Sequence, residues 1–268
     1  TGALQRLAAV GLGLGQLALT VEHKTQVADV RHRLLMPVAV DATPALQRLA
    51  EKGLGLRQLA LSLEQQAHVV DRLQRIRVVV AQDSAARVIV LAANGRAYCA
   101  GHDLKQLRAR PEEAYYRDLF GRCGQLMQTI MRQPQPVIAR VHGIATAAGC
   151  QLVASCDMAV ASENARFAVS GINVGLFCST PGVALARNIG RKRALEMLLT
   201  GDFISANQAV VEGLVNYAVP DEQLDQAVAK LCDTICAKSA MSIRIGKKMF
   251  YRQLEMGLEQ AYEYASGG

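Results

Sequence analysis

The chain has 268 residues, of which 51% are hydrophobic and only 4% aromatic, and its formal net charge is +7. This length fits one α/β domain with a helical appendage, and a core of Val, Ile, Leu and Ala fits a sheet covered by helices. Apolar runs stay below 18 residues, which argues against a membrane-spanning helix. The basic charge is consistent with an anionic small molecule or with a plain solvated surface. Nucleic acid is disfavoured, because no Lys/Arg block is interleaved with aromatic residues.

The seven cysteines are scattered along the chain and show no paired spacing typical of a metal site. The closest pair, Cys232 and Cys236, falls where the apolar pattern is helical. An odd count without such spacing predicts buried, small apolar side chains in a reducing compartment. No metal site is expected.

Residues 1–56 form an N-terminal segment that these patterns do not explain. Leu4–Glu22 and Leu46–Glu64 repeat each other at a period of 42 residues, with 14 of 19 positions identical. Repeats often indicate solenoids, but only two copies occur and nothing later continues them. Two interpretations stay open, a duplication in the chain and an error in the assignment of its residues.

A regular order of strands and helices starts at Arg87. Apolar runs predict buried strands at Arg87–Leu91, Pro136–Val141 and Asp157–Ala161. Helical spacing between them predicts helices over Pro111–Met131 and Ala147–Ser155. Strand–helix–strand order with parallel crossovers predicts an α/β fold of βαβ units.

After Pro181 the pattern becomes wholly helical. It predicts helices over Arg191–Leu199, Ser205–Glu212 and Asp221–Ala237, separated by glycine-containing stretches. Ser205 and Asp221 stand where N-cap residues are preferred, and we expect both side chains to cap the helices that follow them.

Two motifs, Asn94–Lys105 (NGRAYCAGHDLK) and His142–Leu152 (HGIATAAGCQL), carry the chemistry of the chain. Each is a short apolar strand that leads into a small-residue turn and then a helical pattern. Turns of this kind leave backbone N–H groups unpaired, and two N–H groups aimed at one point make an oxyanion hole. Either motif alone is a weak signal, whereas both in this order and at this spacing are a strong one.

The pair of motifs resembles the crotonase superfamily, the enoyl-CoA hydratase/isomerase family, over roughly Arg87 to Glu263. The resemblance implies a crotonase-like (ClpP/crotonase) α/β fold of repeated ββα/βαβ units with a helical C-terminal region. It implies a core at 57–200 and a helical region at 201–268. Family members usually continue beyond the region of Tyr262 through a further helix and a basic tail, so the helical region is expected to be truncated.

In this family two backbone amides hold the thioester oxygen, and the corresponding amides here belong to His102 and Ala148. The expected substrate-binding neighbours are Ala100, Gly101, Asp103, Leu104, Lys105, Ala147 and Gly149. A catalytic role for the His102 ring is an alternative, because an imidazole titrates near neutral pH. Asp103 is expected to cap a helix, and Lys105 either contacts a phosphate or is solvated.

Family hydratases use two glutamates, and at the corresponding positions this chain has Gln151 and Gly171. Neither residue transfers protons as a carboxylate does, although Gln151 could hold a water molecule by hydrogen bonding. Ordinary hydratase activity is therefore doubtful.

Cys178 and Ser179 are the candidate substitutes for the missing acids. Dienoyl-CoA isomerase relatives carry an acid at the position of Ser179, and dihydroxynaphthoyl-CoA synthase relatives share the glycine and a similar Val-Gly-x-Phe run before Cys178. A reactive thiol needs a lowered pKa, and the absence of a neighbouring positive charge in the sequence favours a plain pocket-lining thiol. The long run from Ala145 to Arg187 resembles one branch of the family in particular.

The resemblance implies a coenzyme A thioester as the substrate, with no permanently bound cofactor. It also implies a homotrimer or hexamer, with neither nucleic acid nor membrane as a partner. The expected location is the bacterial cytoplasm, or the mitochondrial matrix in a eukaryote. Two functions stay open, an enzyme acting on acyl-CoA thioesters and a non-catalytic acyl-CoA-binding protein of the same fold.

Overall fold

The computed structural model describes the backbone of residues 57–60 and, in full, residues 86–267. The N-terminal segment 1–56 lies outside the described residues, and so does nearly all of the repeat.

The described residues contain nine strands and nine helices. The strands are β1 (Arg57–Ala60), β2 (Ile89–Ala92), β3 (Ala97–Cys99), β4 (Val137–Val141), β5 (Ile144–Thr146), β6 (Met158–Ser162), β7 (Arg166–Ala168), β8 (Ile204–Ser205) and β9 (Tyr217–Val219). The helices are α1 (Leu104–Ala109), α2 (Glu113–Arg132), α3 (Ala148–Ser155), α4 (Ser179–Leu185), α5 (Arg191–Thr200), α6 (Ala206–Val211), α7 (Leu224–Cys236), α8 (Ala240–Gln253) and α9 (Leu258–Ser266). Short 3-10 helices span Ser170–Val174 and Asp221–Gln223. The strands and helices expected from Arg87 to Ala161 are confirmed.

The strands form two sheets, between which the chain alternates. One sheet has five parallel strands in the order β1-β2-β4-β6-β9, and the other has four in the order β3-β5-β7-β8. Only β8 runs antiparallel to its neighbour in the described sheets. The chain passes from the first sheet to the second three times, from β2 to β3, from β4 to β5 and from β6 to β7, with helices after each pair. This is the predicted arrangement of repeated ββα units.

The expectation of a wholly helical chain after Pro181 is wrong in two places. Strand β8 pairs with β7, and β9 extends the five-stranded sheet by pairing with β6. These strands have two and three residues, too few for an alternating pattern to be visible in the sequence. The pairing partner, rather than local propensity, makes them strands.

One of the two expected helix caps is confirmed. Ser205 forms a reciprocal capping box with Gln208 at the start of α6. Asp221 is instead engaged across the fold, where its carboxylate accepts hydrogen bonds from the Ser162 hydroxyl and, at 2.7 Å, from the Asn164 amide. The predicted cap at Asp221 is therefore wrong, because a long-range partner competes for the side chain.

Both faces of the five-stranded sheet are buried, which explains why its strands are continuous apolar runs. On one face Ile89 and Leu91 belong to the main core, which extends to the second sheet and its helices. On the other face Val90, Ile138 and Val160 pack against α7. The second sheet and its turns thus pack against a five-stranded sheet that is buried on both faces.

Helix α8 is fixed to the rest of the fold by one buried ion pair. The Lys247 ammonium donates to the Asp157 carboxylate at 2.6 Å and to the carbonyls of Ile130 and Gln135 at 3.2 and 3.0 Å. The Tyr251 hydroxyl donates to the other carboxylate oxygen at 2.8 Å. The Lys247 and Asp157 side chains are only 8% and 12% exposed, so each charge depends on the other for compensation.

We expect Lys247→Met to lower the free energy of unfolding by about 3–5 kcal/mol, because it leaves the Asp157 charge buried without its partner. The matched control is Lys248→Met on the same helix, where the lysine is exposed and the change should stay within about 0.5 kcal/mol. Urea unfolding of both variants measures the difference. Equal midpoints for the two variants would refute the proposed anchoring role.

None of the seven cysteines forms a disulfide, and six of them are buried. Burial raises the pKa of the Cys123 thiol to about 11 and that of Cys150 to about 12.

Within the described residues, no group of three or more His, Cys, Asp or Glu side chains is placed to hold a metal ion. The same part of the chain has no helix that is both long and apolar enough to span a membrane.

Candidate functional site

The two small-residue turns meet at one edge of the second sheet. Gly101 follows β3 and Ala147 follows β5, and these are neighbouring parallel strands, so the turns after them lie side by side. A methyl group on Gly101 would lie 3.0 Å from Ala147 Cβ and 3.2 Å from the Ala148 nitrogen. Gly101 has a φ of +91°, a conformation that glycine adopts without strain. The turns of the two motifs are therefore in direct contact.

The turn between β5 and α3 is strained at Ala147. Its φ of 52° and ψ of −119° make it the one non-glycine residue with positive φ in the described chain. The Ala147 N–H donates to the Ala168 carbonyl at 3.0 Å, which ties the turn to β7. Ala148 is the first residue of α3, so its N–H has no acceptor within the helix, and the positive end of the helix dipole adds to its strength as a donor.

Gly149 allows β3 to approach α3 closely. A methyl group at this position would lie 2.0 Å from the Cys99 carbonyl oxygen, well inside van der Waals contact. Strand β3 therefore passes directly over the start of α3. Because His102 follows β3 and Ala148 begins α3, this contact brings together the two elements that carry these residues.

A cavity of about 180 Å³, called here the site cavity, opens in front of the two turns. Its described lining residues are Ala100, His102, Leu104, Leu107, Phe120, Ala147, Ala148, Ser170, Gly171, Val174, Leu176, Phe177, Cys178, Ser179, Thr180 and Pro181. Eight of the candidate site residues stand among them, namely Ala100, His102, Leu104, Ala147, Ala148, Gly171, Cys178 and Ser179. The described lining contains no Asp or Glu.

The site residues that the sequence did not indicate are mainly apolar and come from α1, α2 and the segment before α4. Of these residues, Phe120 is the one that the sequence could have indicated. It lies next to Leu119 but off the stripe of α2 that the core buries, so a large aromatic stands where packing alone would not place it.

The His102 ring packs edge to face against Phe120, with 5.5 Å between ring centroids. Burial lowers the pKa of this imidazole below its ordinary value. The ring is therefore neutral at pH 7, in a partly buried position.

Gln151 lies behind the site cavity rather than in its described lining. The residue is 4% exposed, and its side-chain oxygen accepts a hydrogen bond from the Cys123 thiol of α2 at 3.7 Å. The Gln151 side chain, at the predicted position of the first family acid, is thus directed toward the core between α3 and α2.

Gly171, the predicted position of the second family acid, leaves no room for a side chain. A methyl group there would lie 2.5 Å from the Leu176 carbonyl oxygen and 2.7 Å from Cys178 Sγ. The Gly171 N–H donates to Cys178 Sγ at 3.3 Å. Burial raises the pKa of this thiol, which keeps it protonated at neutral pH and makes it a weak nucleophile.

The remaining polar candidates have local partners. The Ser179 hydroxyl donates to the Phe177 carbonyl at 3.3 Å. Asp103 caps α1, where its carboxylate accepts the Lys105 N–H at 2.8 Å. The Lys105 side chain is exposed. Neither Asp103 nor Lys105 lines the site cavity.

The Enoyl-CoA hydratase/isomerase family model matches residues 59–267. The branch that residues Ala145 to Arg187 resemble is the enoyl-CoA hydratase domain-containing protein 3 type, and the comparisons confirm it. The Xenopus laevis protein of this name, described as mitochondrial, is 51% identical over 180 residues, which is 67% of this chain and 61% of the relative. The human protein is 48% identical over 180 residues, 67% of this chain and 59% of that protein. The chain thus spans about three fifths of the length of these curated relatives.

Solved structures agree with this assignment. An enoyl-CoA hydratase from Mycobacterium smegmatis is 48% identical, with a TM-score of 0.76, over 91% of this chain and 88% of that one. Human enoyl-CoA hydratase domain-containing protein 3 is 39% identical, with a TM-score of 0.74, over 90% of this chain and 88% of that one. The family model, these relatives and the alternation between two sheets lead to one conclusion: the chain belongs to the enoyl-CoA hydratase/isomerase family.

Proposed function

We propose that this protein binds acyl-CoA thioesters and holds the thioester oxygen between the backbone N–H groups of His102 and Ala148. The observation that carries the proposal is the contact between the two turns, where a methyl group on Gly101 would lie 3.2 Å from the Ala148 nitrogen. Two donors that are fixed this close by neighbouring strands need no reorganisation when negative charge develops on the oxygen. Such a pair typically contributes about 2.7–4 kcal/mol of barrier reduction per donor.

The composition of the site cavity supports an acyl chain as its occupant. Leu107, Phe120, Val174 and Leu176 give it apolar lining, and His102 and Ala148, which carry the proposed donors, line it too. An apolar cavity with a few polar groups at one place is typical of small-molecule sites. The net charge of +7 is consistent with the anionic coenzyme A portion.

The proposed reaction class is that of a lyase or isomerase acting through a stabilised enolate or oxyanion, with coenzyme A thioester as substrate and no permanently bound cofactor. A second candidate function is acyl-CoA binding without chemistry. It is favoured by one observation, the lack of Asp and Glu in the described lining of the site cavity. The two functions share the backbone donors and differ only in whether a side chain moves a proton.

A structure with bound butyryl-CoA tests the binding mode. We expect the thioester oxygen within about 3.5 Å of both the His102 and Ala148 nitrogens. The measurement needs no turnover, so it holds for the enzyme and for the non-catalytic binder. A thioester oxygen beyond that distance from both nitrogens would overturn the proposed function.

We also propose that the chain assembles as a homotrimer or hexamer. Helices α8 and α9 bury none of their apolar residues fully. Their exposed apolar residues include Phe250, Leu254, Leu258 and Tyr262, at 56%, 57%, 77% and 70% exposure. An apolar surface of this kind marks an interaction site.

We expect light scattering at micromolar concentration to give three or six times the mass of one chain, because the faces of α8 and α9 need a partner surface. A charged variant, Leu258→Glu with Tyr262→Glu, should shift the mass toward one chain. A stable monomer of the unmodified protein would contradict the assembly.

For the cellular location of the protein, we propose the bacterial cytoplasm, or the mitochondrial matrix in a eukaryote.

A further inference from the structure

His102 contributes a side chain to the site cavity as well as a backbone amide. Its ring contacts the Phe120 ring edge to face, and both residues line the cavity. Phe120 lies about two turns into α2, and a helical residue presents its side chain outward from the helix. The imidazole that contacts this ring therefore lies on the same wall, next to the amide that we propose holds the thioester oxygen.

The His102 ring nitrogens are available for a ligand. Within the described part of the chain, neither of them makes a hydrogen bond, and the ring contact with Phe120 is apolar. Burial without any nearby charge lowers the pKa of the imidazole. The neutral ring then keeps a free lone pair at physiological pH, as a general base requires.

Three other polar side chains of the site cavity lack the two properties of His102, a ring nitrogen without a hydrogen bond and a lowered pKa. The Cys178 thiol accepts the Gly171 N–H, and burial raises its pKa, so it is a poor base. The hydroxyl of Ser179 donates to a backbone carbonyl. The hydroxyl of Ser170 shares a hydrogen bond with Thr146 at 2.7 Å.

We infer that the His102 imidazole is the proton-transferring group of this site and removes a proton from the α-carbon of a bound acyl-CoA thioester. The inference rests on the proposed function, because it requires a thioester held at the His102 and Ala148 amides. The acidic C–H bond is on the α-carbon, which is bonded to the thioester carbonyl carbon. A thioester whose oxygen is held by the His102 amide therefore has its α-carbon close to the same residue, whose imidazole can act as the base. This makes His102 a catalytic residue through its ring.

The step balances without a further reagent. The α-C–H bond breaks, and its electron pair forms the carbon–carbon double bond of the enolate while the negative charge moves to the thioester oxygen. The proton adds to a ring nitrogen and gives an imidazolium ion. In D₂O the imidazolium proton exchanges with solvent, and return of a deuteron from the ring to the α-carbon restores the thioester with deuterium in place of an α-hydrogen.

Few titratable groups surround the ring. Cys178 also lines the site cavity, directly before α4. From α2, Tyr116 contacts Phe120 and donates its hydroxyl to the Leu107 carbonyl at 2.9 Å. Asp103 is turned toward the backbone of α1, as its hydrogen bond to the Lys105 N–H shows. The exchange rate should therefore follow one ionisation, rising with pH through a pKa below the ordinary imidazole value of about 6.5 and staying constant above it.

The test is α-hydrogen exchange of butyryl-CoA in D₂O, followed by mass spectrometry, with the dissociation constant measured by calorimetry. His102→Gln keeps the backbone amide and removes the base, so exchange should fall by about 100-fold or more while the dissociation constant changes by less than about threefold. The pH inflection should disappear in this variant. The matched control is His142→Gln, because His142 donates to the Gly95 carbonyl at 2.8 Å and lies outside the site cavity.

Three results would overturn the inference. The first is exchange by His102→Gln within threefold of the unmodified protein, and the second is an unchanged pH inflection in that variant. The third is binding of butyryl-CoA by the unmodified protein without any exchange, which leaves the proposed binding function intact. Failure of the unmodified protein to bind butyryl-CoA would refute the proposed function itself, and with it the role of His102.

Discussion

Hydration of crotonyl-CoA by this protein is expected to be at least about 10⁴-fold slower than by a family hydratase that carries both glutamates, because general acid–base groups contribute about 10²–10⁴-fold each. Addition of water across the double bond needs one group to activate the water and one to protonate the α-carbon. Gln151 has no useful pKa, and its side-chain oxygen is engaged by the Cys123 thiol. Gly171 has no side chain, and the described lining of the site cavity contains no carboxylate.

Loss of the enoyl-thioester absorbance measures this rate directly, with a two-glutamate family hydratase assayed beside it. The unmodified protein is the decisive sample. Restoring the acid by Gly171→Glu is a poor test, since the new Cβ would lie 2.5 Å from the Leu176 carbonyl oxygen and the segment before α4 would have to move. A turnover number within tenfold of the reference hydratase would show that other residues supply the acid and the base.

The proposed role of His102 is compatible with slow hydration. A single neutral imidazole can remove an α-proton and return it, which suffices for exchange or for movement of a double bond. Hydration needs in addition a group that positions and deprotonates water. A protein in which His102 transfers the α-proton but water is not added would therefore be an enzyme of this family that lacks the hydration step. Exchange of the α-hydrogens in D₂O would distinguish it from a non-catalytic acyl-CoA-binding protein.

The two small-residue turns and their contact could be predicted from the sequence because their signal is local. Apolar strands that end in small-residue runs indicate such turns wherever they occur, and parallel neighbours bring their ends together. The contact between Gly101 and Ala148 agrees with that expectation. The capping box at Ser205 is local in the same way.

The features that escaped prediction depend on contacts between distant residues. Phe120 comes to the His102 ring from another helix, and no pattern within α2 states which cavity it meets. The space beside Gly171 is filled by Cys178, seven residues later, through a turn whose path the sequence does not indicate. Strands β8 and β9 are too short to be recognised without the partners β7 and β6.

The close passage of β3 over α3 leads to a prediction in which one substitution affects both the fold and the site. We expect Gly149→Ala to destabilise the protein by about 1–3 kcal/mol or more, because the new methyl group would lie 2.0 Å from the Cys99 carbonyl oxygen and overpacking of this kind forces the backbone to move. Cys99 ends β3, two residues before Gly101. Any displacement of β3 therefore moves the His102 amide away from the Ala148 amide.

The consequence for the site should exceed the consequence for the fold. A misplacement of about 1 Å at a reacting group can cost about 100-fold, so binding of butyryl-CoA and α-hydrogen exchange should both fall steeply in folded Gly149→Ala. The matched control is Gly124→Ala on α2, where the added methyl group meets nothing within 4 Å. Alanine there should stabilise the helix by about 1 kcal/mol and leave binding unchanged. Denaturant unfolding, calorimetry and exchange on the two variants measure these effects, and equal behaviour of Gly149→Ala and Gly124→Ala would show that β3 does not set the geometry of the two amides.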